Sequence, residues 1–144
     1  MREAVIYRLR AAPSEAVNYP YLIVSDNISQ PADILMIRDF KKAKEQLKKQ
    51  IKKGTGLELT INPARKMDAR SVGKWFNNLS ELYAFCHSSR CQFILSSGAR
   101  SEYEMISGPC LDAILKIGGI DPQSHWRKMG DWVEERLSRK VYYA

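Results

Sequence analysis

The chain has 144 residues, 44% hydrophobic and 27% charged, which suits one globular domain able to bury most of its apolar surface and excludes a disordered polyelectrolyte. A net charge of +7 and a pI near 9.4 make a polyanion, nucleic acid first, the partner to consider. No apolar run reaches the roughly 18 residues of a membrane span, and MREAVIYRLR alternates polar with apolar residues where a signal peptide would be continuously apolar, so a cytoplasmic protein without membrane contact is expected.

Val5 to Leu9 and Tyr21 to Val24 are β-branched or aromatic runs that predict short strands, separated by the polar, proline-containing stretch 11–20. Ile34 to Ile37 is a third apolar run of the kind buried in parallel sheets. Next comes KKAKEQLKKQIKK at 41–53, where seven lysines face one glutamate. Phe40, Ala43, Leu47 and Ile51 share one side of a helical wheel and the lysines fan over the other. A solvated face kept for solubility and a phosphate-binding face both fit this pattern. Gly54 and Gly56 are the expected stop, since glycine takes positive φ without strain.

Leu57 to Ile61 predicts a further strand, ended by Asn62 and Pro63. Asp68 is placed to cap a helix in which Val72, Trp75, Phe76, Leu79, Leu82, Tyr83 and Cys86 recur at steps of three and four. Gln92 to Leu95 forms the next strand and opens onto Ser96, Ser97, Gly98 and Ala99. Ser107, Gly108 and Pro109 mark a helix start, and a final amphipathic helix from about Pro122 to Arg139 is expected to bury Trp126, Met129, Val133 and Leu137. Three strands followed by alternating helices and strands predict right-handed βαβ units, an α/β fold with a mainly parallel sheet.

Chemistry-bearing residues are sparse. Cys86, Cys91 and Cys110 form no CxxC pair and are expected to be buried, reduced thiols. His87 and His125 lie in no metal-binding motif and are expected to be structural, so neither a catalytic site nor a metal site on the polypeptide is expected. Ser96-Ser97-Gly98 lacks a GxSxG elbow or an activating partner; it reads as a turn after a strand, with amides able to approach an anion. Glu58, Glu102 and Glu104 share no spacing that would pair them as acid and base.

Several segments in chain order carry a resemblance: GTGLELTINP at 54–63, the aromatic and leucine-rich helix at 72–86, QFILSSGA at 92–99, and EMISGPCLDAILKIGGI at 104–120. Together they resemble ribonuclease P protein component 3, the TIM-barrel subunit of archaeal and eukaryotic ribonuclease P, of the polymerase and histidinol phosphatase superfamily. The likeness covers roughly residues 21–140. It departs at Ile106, where the family usually carries arginine before its Ser/Gly-Pro turn, and Arg100 is a candidate replacement. It departs also in length, because a full eight-stranded barrel needs roughly 200 residues or more. The expected fold is therefore a partial TIM-barrel-like parallel sheet with surrounding helices, a half-barrel. Its open edge and uncovered apolar face call for a second copy, for a companion chain completing the barrel, or for the strand at 5–9 to cap the edge in a monomer.

The resemblance implies a noncatalytic subunit that binds ribonuclease P RNA and precursor tRNA and works beside other ribonuclease P proteins, with a magnesium-dependent catalytic RNA performing the cleavage. In a parallel barrel the turns after successive strands lie at one rim. Arg38, Lys41 and Lys42, then Arg65, Lys66 and Arg70, then Ser96, Ser97 and Arg100 are the expected RNA contacts there, joined by Lys48, Lys49 and Lys52 of the lysine-rich segment. A degenerate metal-dependent phosphoesterase of the same superfamily and a protein-interaction module without RNA binding are the alternatives. Metal analysis separates the first, and a gel shift with precursor tRNA the second.

Overall fold

In the computed structural model, which describes residues 6–140, the apolar runs form one sheet. Its strands are β1 (Tyr7–Leu9), β2 (Tyr21–Ser25), β3 (Ile34–Met36), β4 (Gly56–Thr60) and β5 (Gln92–Ser96), adjacent in chain order and parallel throughout. Helix α1 (Phe40–Gln50) connects β3 to β4, and α2 (Ala69–Ser89) connects β4 to β5. Helices α3 (Gly108–Ile117) and α4 (Pro122–Ser138) follow the last strand. Val5, the first residue of the expected opening strand, lies outside the described residues. Among those residues no helix is long and apolar enough to cross a membrane.

Period-two alternation and the strand register sort the side chains onto two faces. Leu35, Leu57 and Phe93 align across β3, β4 and β5, and Leu59 aligns with Leu95. Beneath α1 and α2 they meet Phe40, Leu47, Trp75, Leu79, Leu82 and Cys86 in the main core. Each of these helices has a built entrance: the Asp39 carboxylate accepts from Lys42 N, and the Asp68 carboxylate accepts from Ser71 N. The Ser71 amide, and then its side chain, hold the Asp68 carboxyl below its ordinary pKa. Trp75 Nε1 donates to the Thr60 carbonyl at 3.2 Å, tying α2 to the end of β4.

The opposite face is covered by α4. There Leu22, Val24, Ile34, Ile94 and Trp132 form a second, smaller cluster, with Met129, Val133 and Leu137 against it. The apolar surface that would otherwise need a partner is thus occupied by the chain's own C-terminal helix, and β1 sits on the β2 edge. Trp132 Nε1 donates to the Gly54 carbonyl at 2.7 Å. A Cβ on Gly56 would lie 2.7 Å from Ile94 Cδ1 and 2.9 Å from the Trp132 ring, so only glycine lets α4 approach this closely.

Four expectations are corrected here. Gly56 opens β4 and takes no part in ending the lysine helix; Gly54, at φ +84°, makes the turn alone. That helix ends at Gln50, with Ile51 already extended, because the chain must reverse into β4; Lys52 and Lys53 lie beyond it. Of the cysteines only Cys86 is buried, while Cys91 is half-buried and Cys110, in the first turn of α3, is exposed. In α4 the buried aromatic residues are His125 and Trp132, while the expected Trp126, Met129, Val133 and Leu137 are half-buried, with Trp126 Nε1 held 2.6 Å from Asp112 Oδ1.

Candidate nucleic-acid interface

Because every strand is parallel, the segments that follow β3, β4 and β5 emerge at one end of the sheet. After β4 the chain makes a 3-10 turn, Asn62–Lys66, with proline in its first turn and Arg65 and Lys66 exposed. After β5 it passes through Ser96 and Ser97 to Gly98, whose φ of +65° and close approach to Thr60 leave no room for a side chain. A second 3-10 turn, Glu102–Glu104, folds back toward the first.

Glu104 joins the two turns. Its carboxylate accepts from Arg100 N at 2.7 Å, and its carbonyl accepts from Arg65 NH1 at 3.5 Å. Arg65 also donates to Asn62 Oδ1 at 3.2 Å. Neither guanidinium is consumed by a carboxylate: among the described residues no ion pair involves Arg65, Lys66, Arg70 or Arg100. On the segment that joins the two turns Tyr103 is 86% exposed and Met105 69% exposed. Sequence reasoning missed Tyr103, because an aromatic in a loop has no periodicity to say whether it turns in or out. The only available signal was its acidic flanks, Glu102 and Glu104. Beneath this surface Asn62 Nδ2 and Ser96 Oγ are buried without a hydrogen-bond partner among the described residues.

The remaining expected contacts fall into other settings. Arg38 and Lys42 reach the same end of the sheet but sit beside Asp26 and Asp39, each at 3.9 Å, around a cleft of about 340 Å³. Two carboxylates offset these two cations, so that patch attracts anions weakly. Lys41 is exposed on the first turn of α1. Lys48 and Lys49 occupy its last turn, and Lys52 lies past it, roughly 16 Å along an eleven-residue helix from the rim. Lys48 is 3.2 Å from Glu45. The structure therefore groups Arg65, Lys66, Arg70 and Arg100 with the Ser96-Ser97 turn, and separates Lys48, Lys49 and Lys52 from them.

Other ionisable groups are engaged structurally. Glu58, 1% exposed, projects onto the α4 face of the sheet, where Arg8 NH2 meets its Oε2 at 2.5 Å. His125 is packed between Phe93 and Trp126; burial, with Lys128 adding to it, lowers its pKa to about 4. Burial pushes the Cys86 thiol well above its ordinary pKa, with Cys91 contributing. His87 is exposed on α2. Among the described residues no three His, Cys, Asp or Glu side chains gather as a metal site.

The chain matches no family model, no curated protein and no solved structure.

Proposed function

We propose that the protein is an RNA-binding scaffold, and specifically a noncatalytic subunit of ribonuclease P that supports 5′ maturation of precursor tRNA. The observation that carries the reading is that the Arg65 guanidinium and the Arg100 backbone amide both bond to Glu104, which brings the two cation-bearing turns together beside the exposed Tyr103, with no ion pair to either guanidinium among the described residues. Planar guanidinium groups make bidentate contacts to phosphate oxygens, which position an RNA without reading its sequence. An exposed phenol ring supplies the other half of single-strand recognition, a face on which an unpaired base stacks. The narrower assignment rests on the resemblance of segments 54–63 and 92–120 to ribonuclease P protein component 3. Five parallel strands in consecutive order, with α1 and α2 on one face, agree with an arc of that family's barrel. Cleavage then belongs to the catalytic RNA and its magnesium ions, while the polypeptide stabilises the RNA fold.

Fluorescence anisotropy with ribonuclease P RNA and with precursor tRNA tests this. Replacing Arg65, Arg70 and Arg100 together by alanine is expected to weaken binding at least about tenfold and to flatten the salt dependence by about two units of slope. Tyr103→Ala is expected to lose about 1–3 kcal/mol on RNA with unpaired bases while leaving the salt slope intact. RNA affinity unchanged in the triple variant overturns the interface. Reconstitution with the catalytic RNA and companion subunits, followed by precursor cleavage at modest magnesium, tests the assembly: a protein that binds RNA yet adds nothing to cleavage is not a ribonuclease P subunit.

A further inference from the structure

The end of the sheet opposite the proposed RNA interface carries a second basic feature. A cleft of about 700 Å³ lies between the loop 28–33, the end of α1 and the end of α4. Lys52, Lys53, Arg136, Arg139 and Lys140 line it, against one carboxylate, Asp33. That carboxylate is already committed: its Oδ2 accepts from Ile23 N at 2.8 Å and from Lys140 Nζ at 2.7 Å, and Arg136 NH1 is 3.9 Å from its Oδ1.

Arg136 and Lys140 are largely buried, with side chains 18% and 15% exposed, and they share that one acid. Each also lies over an aromatic ring, Arg136 over Trp132 at 5.8 Å and Lys140 over Tyr21 at 4.9 Å, which holds the cations in place without neutralising them. Arg136 Nε is buried with no hydrogen-bond partner among the described residues. Arg139 is paired with Glu135. Both helices that end here add about half a negative charge apiece. Among the described residues, five cations against Asp33, Glu135 and two helix ends leave a surplus of about two positive charges around this open cleft. Lys52, Lys53 and Arg139 are exposed, so much of the excess sits at the mouth of the cleft, where its field attracts an anion of matching charge.

We propose that this cleft binds a phosphate monoester, whose charge of about −1.5 to −2 at neutral pH balances that surplus. Arg136 and Lys140 hold the phosphate from the cleft wall, and Lys52 and Lys53 close on it from the mouth. The volume is within the roughly 300–1,000 Å³ of small-molecule sites, and Ile28, Pro31 and Ile51 offer apolar surface to the rest of the ligand. A free mononucleotide and the 5′-phosphorylated end of an RNA present the same group. The site does not depend on the RNA interface at the other end of the sheet.

Isothermal titration of the full chain with AMP, adenosine, and a short oligoribonucleotide with and without its 5′-phosphate tests the proposal. AMP or the phosphorylated oligonucleotide is expected to bind at one site, with its dephosphorylated counterpart at least about tenfold weaker, as loss of a charged hydrogen-bonded contact predicts. The tighter of the two phosphorylated probes identifies the source of the group. Arg136→Gln is expected to weaken binding about tenfold or more. The exposed pair Lys52→Gln/Lys53→Gln, which has no part in the core, is expected to weaken it several-fold and decides the matter should the Arg136 variant unfold. Replacing Arg65, Arg70 and Arg100 by alanine should leave AMP affinity within about twofold, because the sites are separate. Absence of saturable binding by either phosphorylated probe, equal binding of adenosine and AMP, or undiminished binding in the lysine double variant overturns the proposal.

Discussion

The two faces of the sheet are covered by different chemistry. Beneath α1 and α2, leucine, phenylalanine and tryptophan side chains interlock in a wide apolar core in which Leu47, Leu57, Leu79 and Leu82 have no exposure. Beneath α4 the apolar cluster is small, and much of the remaining contact is ionic: Arg8 with Glu58, and Arg136 and Lys140 with Asp33. Area removed from water explains why the first face holds the fold together. The second face draws part of its order from charges whose desolvation offsets much of their attraction, an arrangement that contributes more to position than to stability. The basic cleft lies at the end of the sheet where the two sides meet, and its α4 cations Arg136 and Lys140 are oriented by the same contacts that dock the helix.

This contrast sets an order of mutational cost. Leu79→Ala removes a fully buried side chain from the α2 core and should lower unfolding free energy by about 3–4 kcal/mol in urea titration. A loss below about 1 kcal/mol would mean the core there relaxes freely. On the other face, Arg8→Ala strands the carboxylate of Glu58, but Arg8 is 45% exposed and water can reach the gap. About 2 kcal/mol is the expected loss, restored in large part by the double change Arg8→Ala/Glu58→Gln.

The smallest effect is pH-dependent. His125 has a pKa of about 4 in the fold against an ordinary 6.5, so the unfolded chain takes up the proton first as pH falls. Stability from keeping this ring neutral is therefore complete above pH 6.5, declines between 6.5 and about 4, and levels off below that. A loss of about 1–2 kcal/mol across the window is expected, allowing for residual hydration. His125→Phe should remove that part of the pH slope, and an identical slope in both proteins would assign it to carboxylates.

Local pattern and tertiary contact divide the rest of the molecule between them. Asp39, Asp68 and Ser107 as helix caps, the spacing of Trp75, Leu79, Leu82 and Cys86, and the turn at Gly54 are all short-range features, decided within a turn or two of the chain. Alternation of helices and strands predicted a mainly parallel sheet, whereas the side-by-side order of β1 to β5 was decided by tertiary pairing. Gly56 looked like part of the stop because it lies close to Gly54, which makes the turn beyond the helix; its actual constraint is Trp132, distant in sequence. Arg65 and Arg100 were legible as cations after strands, whereas the outward turn of Tyr103 beside them was not.

What the primary structure determined unaided is the α/β class, the helices with most of their starts, and the excess of positive charge, since periodicity, capping and composition act locally or additively. What only the folded chain decided is which charges meet. Asp33 and Lys140 are separated by 107 positions and Arg8 and Glu58 by 50. No local rule pairs residues so far apart. The helix that closes over the second face brings Lys140 to Asp33, the alignment of β1 through β4 brings Arg8 to Glu58, and desolvation upon burial then gives those charges their weight.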